Sequence, residues 1–338
     1  MSDERATAPH TRSGPGSDAI DRHEGEWLDR NRANWDERVS VHLGSDTYDL
    51  TALRAGRGRL NRIEEAELAE LFPMGGSGGA DRDDDGGGDG GGDGAGLAGQ
   101  LDGVRILHLQ CHFGADTLVL AQRGATVVGI DFSHEAVVQA RTLAKELDLS
   151  HRARFIEANV YDARHILPEP ESFDLVYVTW GTIGWLPDVA EWARIIEWYL
   201  KPGGRLYFAD GHPSAYVFEG GSVERTETAT GVETSVELPE FAYPYGNQAP
   251  DVITDPSDYA DPDAALENAT TWEWMHPVSE TFGALRDTGL AVDALREHYE
   301  VPWKMFGSLV PVGEGMWGWA DDARWLPLAL SIVAVKGA

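Results

Sequence analysis

Residues 104–131 read VRILHLQCHFGADTLVLAQRGATVVGID, and this stretch decides the fold. VRILHLQ is a short apolar run with flanking turn residues, as expected of a strand buried on both faces. Asp116 to Arg123 follows as a short helix closed by Gly124, and TVVGID supplies a second strand. A tight turn between strand and helix presents free helix N–H groups at the carboxyl edge of a sheet, where ligands bind. Asp131 ends the second strand about twenty residues after that turn, where an acid can accept hydrogen bonds from both ribose hydroxyls of a nucleoside. The ordered pair of turn and acid predicts an adenosine-containing ligand lying across the strand ends.

The same rhythm continues outward. Ser133 is placed to cap a helix reaching Leu147, with Ala136, Val137, Ala140, Leu143 and Ala144 at helical spacing. ARFIEAN and FDLVYVTW read as a third and a fourth strand. A helix carrying Val189, Trp192, Ile195, Ile196 and Tyr199 ends at Lys201-Pro202-Gly203-Gly204, and RLYFAD is a fifth strand. Ser279 to Gly289 predicts a helix, Val292 to Val301 a strand, and PLALSIVAVK a closing apolar strand. Alternation of this kind implies βαβ units and a parallel sheet. Residues 213–275, rich in Glu, Thr, Tyr and Pro, interrupt the pattern as an insertion of irregular structure or short strands. Upstream, residues 1–20 read as a disordered tail and 21–73 as a helical cap, with amphipathic spacing from Glu24 to His42 and again from Ile63 to Phe72. Residues 74–98 are rich in Gly and Asp and read as a flexible insertion. They lack the apolar position of a calcium-binding nonapeptide and the terminal Glu of an EF-hand. The α/β domain is therefore expected over 99–338.

From about Leu101 to Lys336 the sequence resembles the class I S-adenosylmethionine-dependent methyltransferases, in particular a branch whose first motif reads HLQCH-x-G. The wider class reads acid-x-Gly-x-Gly-x-Gly. Here the acid falls at His108, the first two glycines at Gln110 and His112, and the last at Gly114, which alone is kept. Asp131-Phe132, Asn159-Val160 with Asp162, Asp174, Thr179-Trp180 and LKPGGRLYFAD match the later motifs in order. The resemblance implies an α/β, Rossmann-like, seven-stranded sheet, mostly parallel with the last strand antiparallel, and helices on both faces. It implies S-adenosyl-L-methionine as cofactor, held at Gln110, Cys111, His112 and Gly114. Asp131 would meet the ribose, Phe132 the adenine face, Asn159 and Val160 the adenine edge, and Thr179 and Trp180 would flank methyl transfer. Two alternatives stand beside an active methyltransferase: a nucleoside-binding protein of the same fold without turnover, and a nicotinamide-dependent oxidoreductase. The missing GxGxxG disfavours the latter.

A sulfonium methyl is already a strong electrophile, so a general base is needed only where the acceptor loses a proton. His212, His276 and Glu273 are the candidates. His108 reads as a buried packing histidine. With His112 it lies on a strand and turn lacking further ligands at metal spacing, so no metal site is expected. Cys111 reads as a small residue admitting the cofactor. The formal charge of −30, with only four lysines (Lys145, Lys201, Lys304, Lys336), repels nucleic acid and anionic membranes. Acids spread along the chain fit a surface adapted to concentrated salt, where a Debye length of about 3 Å screens self-repulsion. The aromatic complement of 12 Trp, 10 Tyr and 10 Phe points to a small-molecule acceptor. A single cysteine, no run of ~20 apolar residues and no apolar leader favour a cytoplasmic protein.

Overall fold

The computed structural model describes residues 20–45, 47–73, 99–227, 233–261 and 263–338. The expected tail, Ile20 apart, and the 74–98 insertion lie outside the described residues. In chain order the elements are α1 (Glu26–Gly44), α2 (Leu50–Arg54), α3 (Arg62–Leu71), β1 (Arg105–Leu109), α4 (Ala115–Gln122), β2 (Thr126–Asp131), α5 (His134–Glu146), β3 (Ala153–Glu157), α6 (Ala163–Ile166) and β4 (Phe173–Thr179). They continue with α7 (Val189–Tyr199), β5 (Leu200–Gly211), β6 (Phe218–Glu227), β7 (Glu233–Phe241), β8 (Asp251–Thr254), β9 (Thr270–Glu273), α8 (Val278–Asp287), β10 (Leu290–His298), β11 (Glu300–Val301), β12 (Leu309–Gly313), β13 (Met316–Trp319) and β14 (Ala329–Lys336).

Seven strands form the main sheet in the order β10-β14-β5-β4-β1-β2-β3. β3, β2, β1, β4 and β5 run parallel, and β14 runs antiparallel to both its neighbours. This is the mostly parallel sheet with an antiparallel last strand that the motifs imply. Side chains alternate along each strand, so that β1 sends Leu107 and Leu109 into one core and Ile106 into the other. The first core is closed by α7 through Trp192, Ile195, Ile196 and Tyr199, with Leu285 of α8. The second is closed by α4 and α5 together with Leu50, Leu53 and Leu68 of α2 and α3. Both faces are covered, which is why these strands read as continuous apolar runs. Among the described residues no helix is long and apolar enough to cross a membrane.

Local chemistry sets the element starts. The Ser133 hydroxyl accepts the Ala136 N–H at 3.1 Å and caps α5. Asn61 and Glu64 form a reciprocal capping box on α3. Two expected boundaries differ. Lys201 to Gly204 is no separate turn, because β5 starts at Leu200, pairs with Phe173, and is bulged before Arg205. The expected strand over Val292–Val301 divides at Tyr299. Its partner β14 begins at Ala329 opposite His298, so Glu300–Val301 pairs instead with β13 in a small three-stranded sheet. The 213–275 interval contains two antiparallel pairs, β6 with β7 and β8 with β9.

Candidate active site

The turn after β1 keeps the conformation of a glycine-rich loop with only one glycine. Gln110, His112 and Gly114 have φ of 56°, 50° and 77°, all left-handed. These are the three positions at which the wider class carries glycine. A left-handed non-glycine residue costs roughly 1–2 kcal/mol, so the first two must be held there. Gln110 Nε2 donates to the Thr182 carbonyl at 2.7 Å, and the His112 N–H donates to Asp131 Oδ2 at 2.7 Å. Gly114 is retained for a second reason: a Cβ there would stand 2.5 Å from the Phe155 ring. Gly129 of β2 likewise leaves room for the Cys111 thiol.

Asp131 is 6% exposed. Each oxygen takes one backbone N–H, from His112 and from Ser133 at 2.9 Å. Burial pushes its carboxyl up to about 6 against those two bonds. Sequence reasoning missed its counterpart, Asp210, at the end of β5. Asp210 accepts the N–H groups of Gly181 (2.6 Å), Thr182 (2.9 Å), Ile183 (3.2 Å) and Gly211 (2.7 Å), plus the Thr182 hydroxyl at 3.2 Å. It thereby holds the turn after β4, where Trp180 and Gly181 have φ of 55° and 68°.

Both turns open onto a cavity of about 850 Å³ at the carboxyl edge of the sheet. That is within the ~300–1,000 Å³ usual for small-molecule sites. Gln110, Cys111, His112, Gly114, Asp131, Phe132, Asn159, Val160, Thr179, Trp180, Glu273 and His276 all line it. The Asn159 side chain is committed elsewhere: it donates to the Arg22 carbonyl at 2.7 Å and accepts the Tyr161 N–H. Burial pushes the Cys111 thiol well up, which suits a packing residue rather than a nucleophile. Polar capacity remains in the lining. Gln110 Oε1, His112 Nδ1 and Trp274 Nε1 are buried without a partner among the described residues, and each Asp131 oxygen has a lone pair left. These residues fit a nucleoside.

The expected bases separate. His212 is not part of the cavity lining: its Nδ1 accepts the Ser214 N–H at 3.1 Å and its Nε2 faces Glu297. It sits one residue beyond β5, where the chain leaves the cavity edge. His276 lines the cavity, but its Nε2 donates to the buried Leu186 carbonyl at 2.7 Å and its Nδ1 faces Glu280 at 3.2 Å. Glu273 takes the Thr271 hydroxyl on Oε1 at 3.0 Å, and burial raises its carboxyl.

α1 crosses the same edge and is fastened to the inserted segment. The buried Asn31 amide pairs with both the N–H and the carbonyl of Trp272 at 2.8 Å, and Asn34 donates to the Asn268 carbonyl. Against the upward push of burial, the His42 hydrogen bond and the Arg38 charge hold the Asp258 carboxyl low. His42 Nδ1 meets His112 Nε2 at 2.9 Å, so a polar chain joins the inserted segment, α1 and the first turn. Trp35 packs edge-on to His112 and Trp185.

Residues 106–204 match the protein family described as a methyltransferase domain. A ubiquinone biosynthesis O-methyltransferase of Stutzerimonas stutzeri is 32% identical over 122 residues, 35% of this chain and 50% of that protein. The protein of the same name from Aeromonas salmonicida is 31% identical over 36% of this chain and 49% of its own length. The chain thus spans about half the length of these curated relatives. Among solved structures, a geranyl diphosphate C-methyltransferase from Streptomyces coelicolor aligns with a TM-score of 0.48 at 14% identity, over 93% of this chain and 99% of that one. An S-adenosylmethionine-dependent methyltransferase from Mesorhizobium loti aligns with a TM-score of 0.45 at 20% identity, over 70% and 92%.

Proposed function

We propose that this chain is an S-adenosylmethionine-dependent methyltransferase acting on a small organic acceptor. The observation that carries the reading is the pairing of a left-handed turn at 110–114 with the buried Asp131 at one cavity, inside the segment that matches a methyltransferase domain. The curated relatives' name supports the same reaction class.

Bound S-adenosylmethionine supplies an electrophilic methyl group on sulfur. The chain's own residues align and shield it. Asp131 would accept from the ribose hydroxyls with its remaining lone pairs, and Phe132 and Val160 would hold the adenine. With its amide already used, Asn159 leaves the adenine edge to the neighbouring backbone. The turns held by Asp131 and Asp210 position the reacting end. Trp35, Trp185, Tyr216 and Trp274 line the remainder, exclude water and favour an aromatic or aliphatic acceptor. Where the acceptor must lose a proton, Glu273 Oε2 receives it. Of the three candidate bases it is the one that keeps uncommitted lone pairs on the cavity, because His276 is bonded at both nitrogens and His212 lies off the lining.

Titration calorimetry in concentrated KCl, with S-adenosylhomocysteine and NADH against wild type and Asp131→Ala, tests the reading. Saturable binding of S-adenosylhomocysteine alone, weakened by the substitution, is expected. Binding of NADH instead would turn the assignment to an oxidoreductase. S-adenosylhomocysteine binding with no methyl transfer across a broad acceptor screen would favour a nucleoside-binding protein.

A further inference from the structure

Behind the first turn, α3, α4 and β1 bring three hydrogen-bond acceptors to one wall of the cavity. Glu64, 1% exposed, accepts the Asn61 N–H and the Asn61 side-chain amide on Oε2 and the Tyr177 hydroxyl on Oε1, which keeps one lone pair. Tyr177 stands edge-on to His108, with ring centroids 4.9 Å apart. His108 is 3% exposed, and its Nδ1 pairs with Thr117 Oγ1 at 2.8 Å. Its Nε2 has no partner among the described residues. Asp116, next to Thr117 in the first turn of α4, makes no hydrogen bond or ion pair among them. The nearest cation on its helix, Arg123, is engaged by Glu65. Glu64, His108 and Asp116 all line the cavity. The capping box accounts for Glu64 Oε2, and it would work as well with glutamine. It does not account for a second carboxylate facing the first beside an unpartnered imidazole nitrogen.

We propose that Glu64, Asp116 and His108 form a socket for a primary ammonium group on a bound ligand. The inference rests on the methyltransferase reading above and names the chemistry of one part of that site. Three acceptors from three elements match the three N–H donors of an ammonium. The wall adjoins the 110–114 turn, and the neutral His108 occupies the position at which the wider class has an acid. The carboxylates that the strand lacks are supplied from α3 and α4. The ammonium has two possible carriers, the amino-acid end of the cofactor or an amine acceptor, and the experiment separates them.

The socket also predicts a proton count. Burial, then Asp116, pushes Glu64 up to about 8, and burial pushes Asp116 up to about 6 despite Arg123. The other titratable groups facing the pair are Tyr177 and Tyr207 from the sheet, Tyr48 from the cap, Tyr259 from the inserted segment, and His108. Burial moves each tyrosine up and His108 down to about 3, so between pH 6 and 8 the carboxyls alone exchange protons. A cation entering beside the two carboxyls displaces a proton, so ammonium binding tightens as pH rises toward 8.

Calorimetry of the full chain would compare S-adenosylhomocysteine with methylthioadenosine, which lacks the amino-acid end, in buffers of different ionisation enthalpy. Wild type and Glu64→Gln, which keeps the capping box, would both be titrated. Proton release with S-adenosylhomocysteine but not methylthioadenosine is expected. Glu64→Gln should abolish that release and weaken S-adenosylhomocysteine about 10- to 100-fold, leaving methylthioadenosine unchanged. If Glu64→Gln instead spares S-adenosylhomocysteine but abolishes binding of phenethylamine to the S-adenosylhomocysteine-saturated protein, the socket holds an amine acceptor. Equal effects on both nucleosides, or no effect on any of the three probes, would overturn the socket while leaving the methyltransferase reading intact. Failure of both nucleosides to bind folded wild type would overturn both.

Discussion

Asp131 and Asp210 occupy equivalent places, each buried at the carboxyl end of a strand and each holding a left-handed turn that belongs to a neighbouring strand. They differ in how many donors they face. Asp131 takes two backbone N–H groups, whereas Asp210 takes four and a hydroxyl. A carboxylate has about four lone-pair sites. Asp210 is therefore saturated by the protein and serves the fold, while Asp131 keeps lone pairs on the cavity. The count of donors, not the residue type or its depth, sets these two acids apart.

The largest effect should come from Asp210→Ala, which leaves a set of buried donors without an acceptor. A loss of about 3–5 kcal/mol in urea unfolding in concentrated KCl is expected. Asp131→Ala should cost less stability but lower S-adenosylhomocysteine affinity about 100-fold. The contrast would collapse if Asp210→Ala, still folded, impaired affinity more than Asp131→Ala does.

The pH response sharpens the same contrast. The Asp131 carboxyl is raised to about 6 from an ordinary 3.8. Its contribution to stability is thus fully present below pH 3.8 and is lost as pH rises through 6, when a buried charge must form. Affinity for methylthioadenosine should rise over the same window, because the ionised carboxylate is the better ribose acceptor. Asp131→Asn should remove both slopes, and thermal unfolding and calorimetry between pH 4 and 8 would check this.

Smaller changes are expected at the first turn. His42→Ala breaks the chain from Asp258 to His112 and should cost about 1–2 kcal/mol with a several-fold loss of affinity. Gln110→Gly removes the bond to Thr182 but also the left-handed strain, so stability should change by less than about 1 kcal/mol. A large loss there would show that the Gln110 side chain, rather than the backbone of the turn, is what the site requires.

Much of the site was legible because its signals are local. Asp131 was found from the spacing of turn and strand end, and Ser133 from the helix it caps. RLYFAD carries the same signal for Asp210, an acid closing an apolar strand, but nothing local shows the four N–H groups that it gathers from the turn after β4 and from Gly211. Asn61 to Glu64 carries a capping-box spacing, which explains the start of α3 without revealing that Glu64 meets Tyr177 of β4. The pairing of Asn31 with Trp272, and of His42 with Asp258 and His112, has no local signal, since its members lie far apart in the chain and meet across the sheet edge.

Apolar periodicity and turn residues by themselves determined the alternation of strands and helices, the parallel sheet and the strand end at which a nucleoside-binding acid would stand. Those properties depend on side chains within a few residues of one another, whose burial is written in their spacing. Tertiary structure alone decided which acids are saturated and which retain lone pairs, which histidines face the cavity, and how non-glycine residues are held at positive φ. Each of these depends on donors and acceptors delivered by elements remote in sequence, and burial makes every unmatched one count.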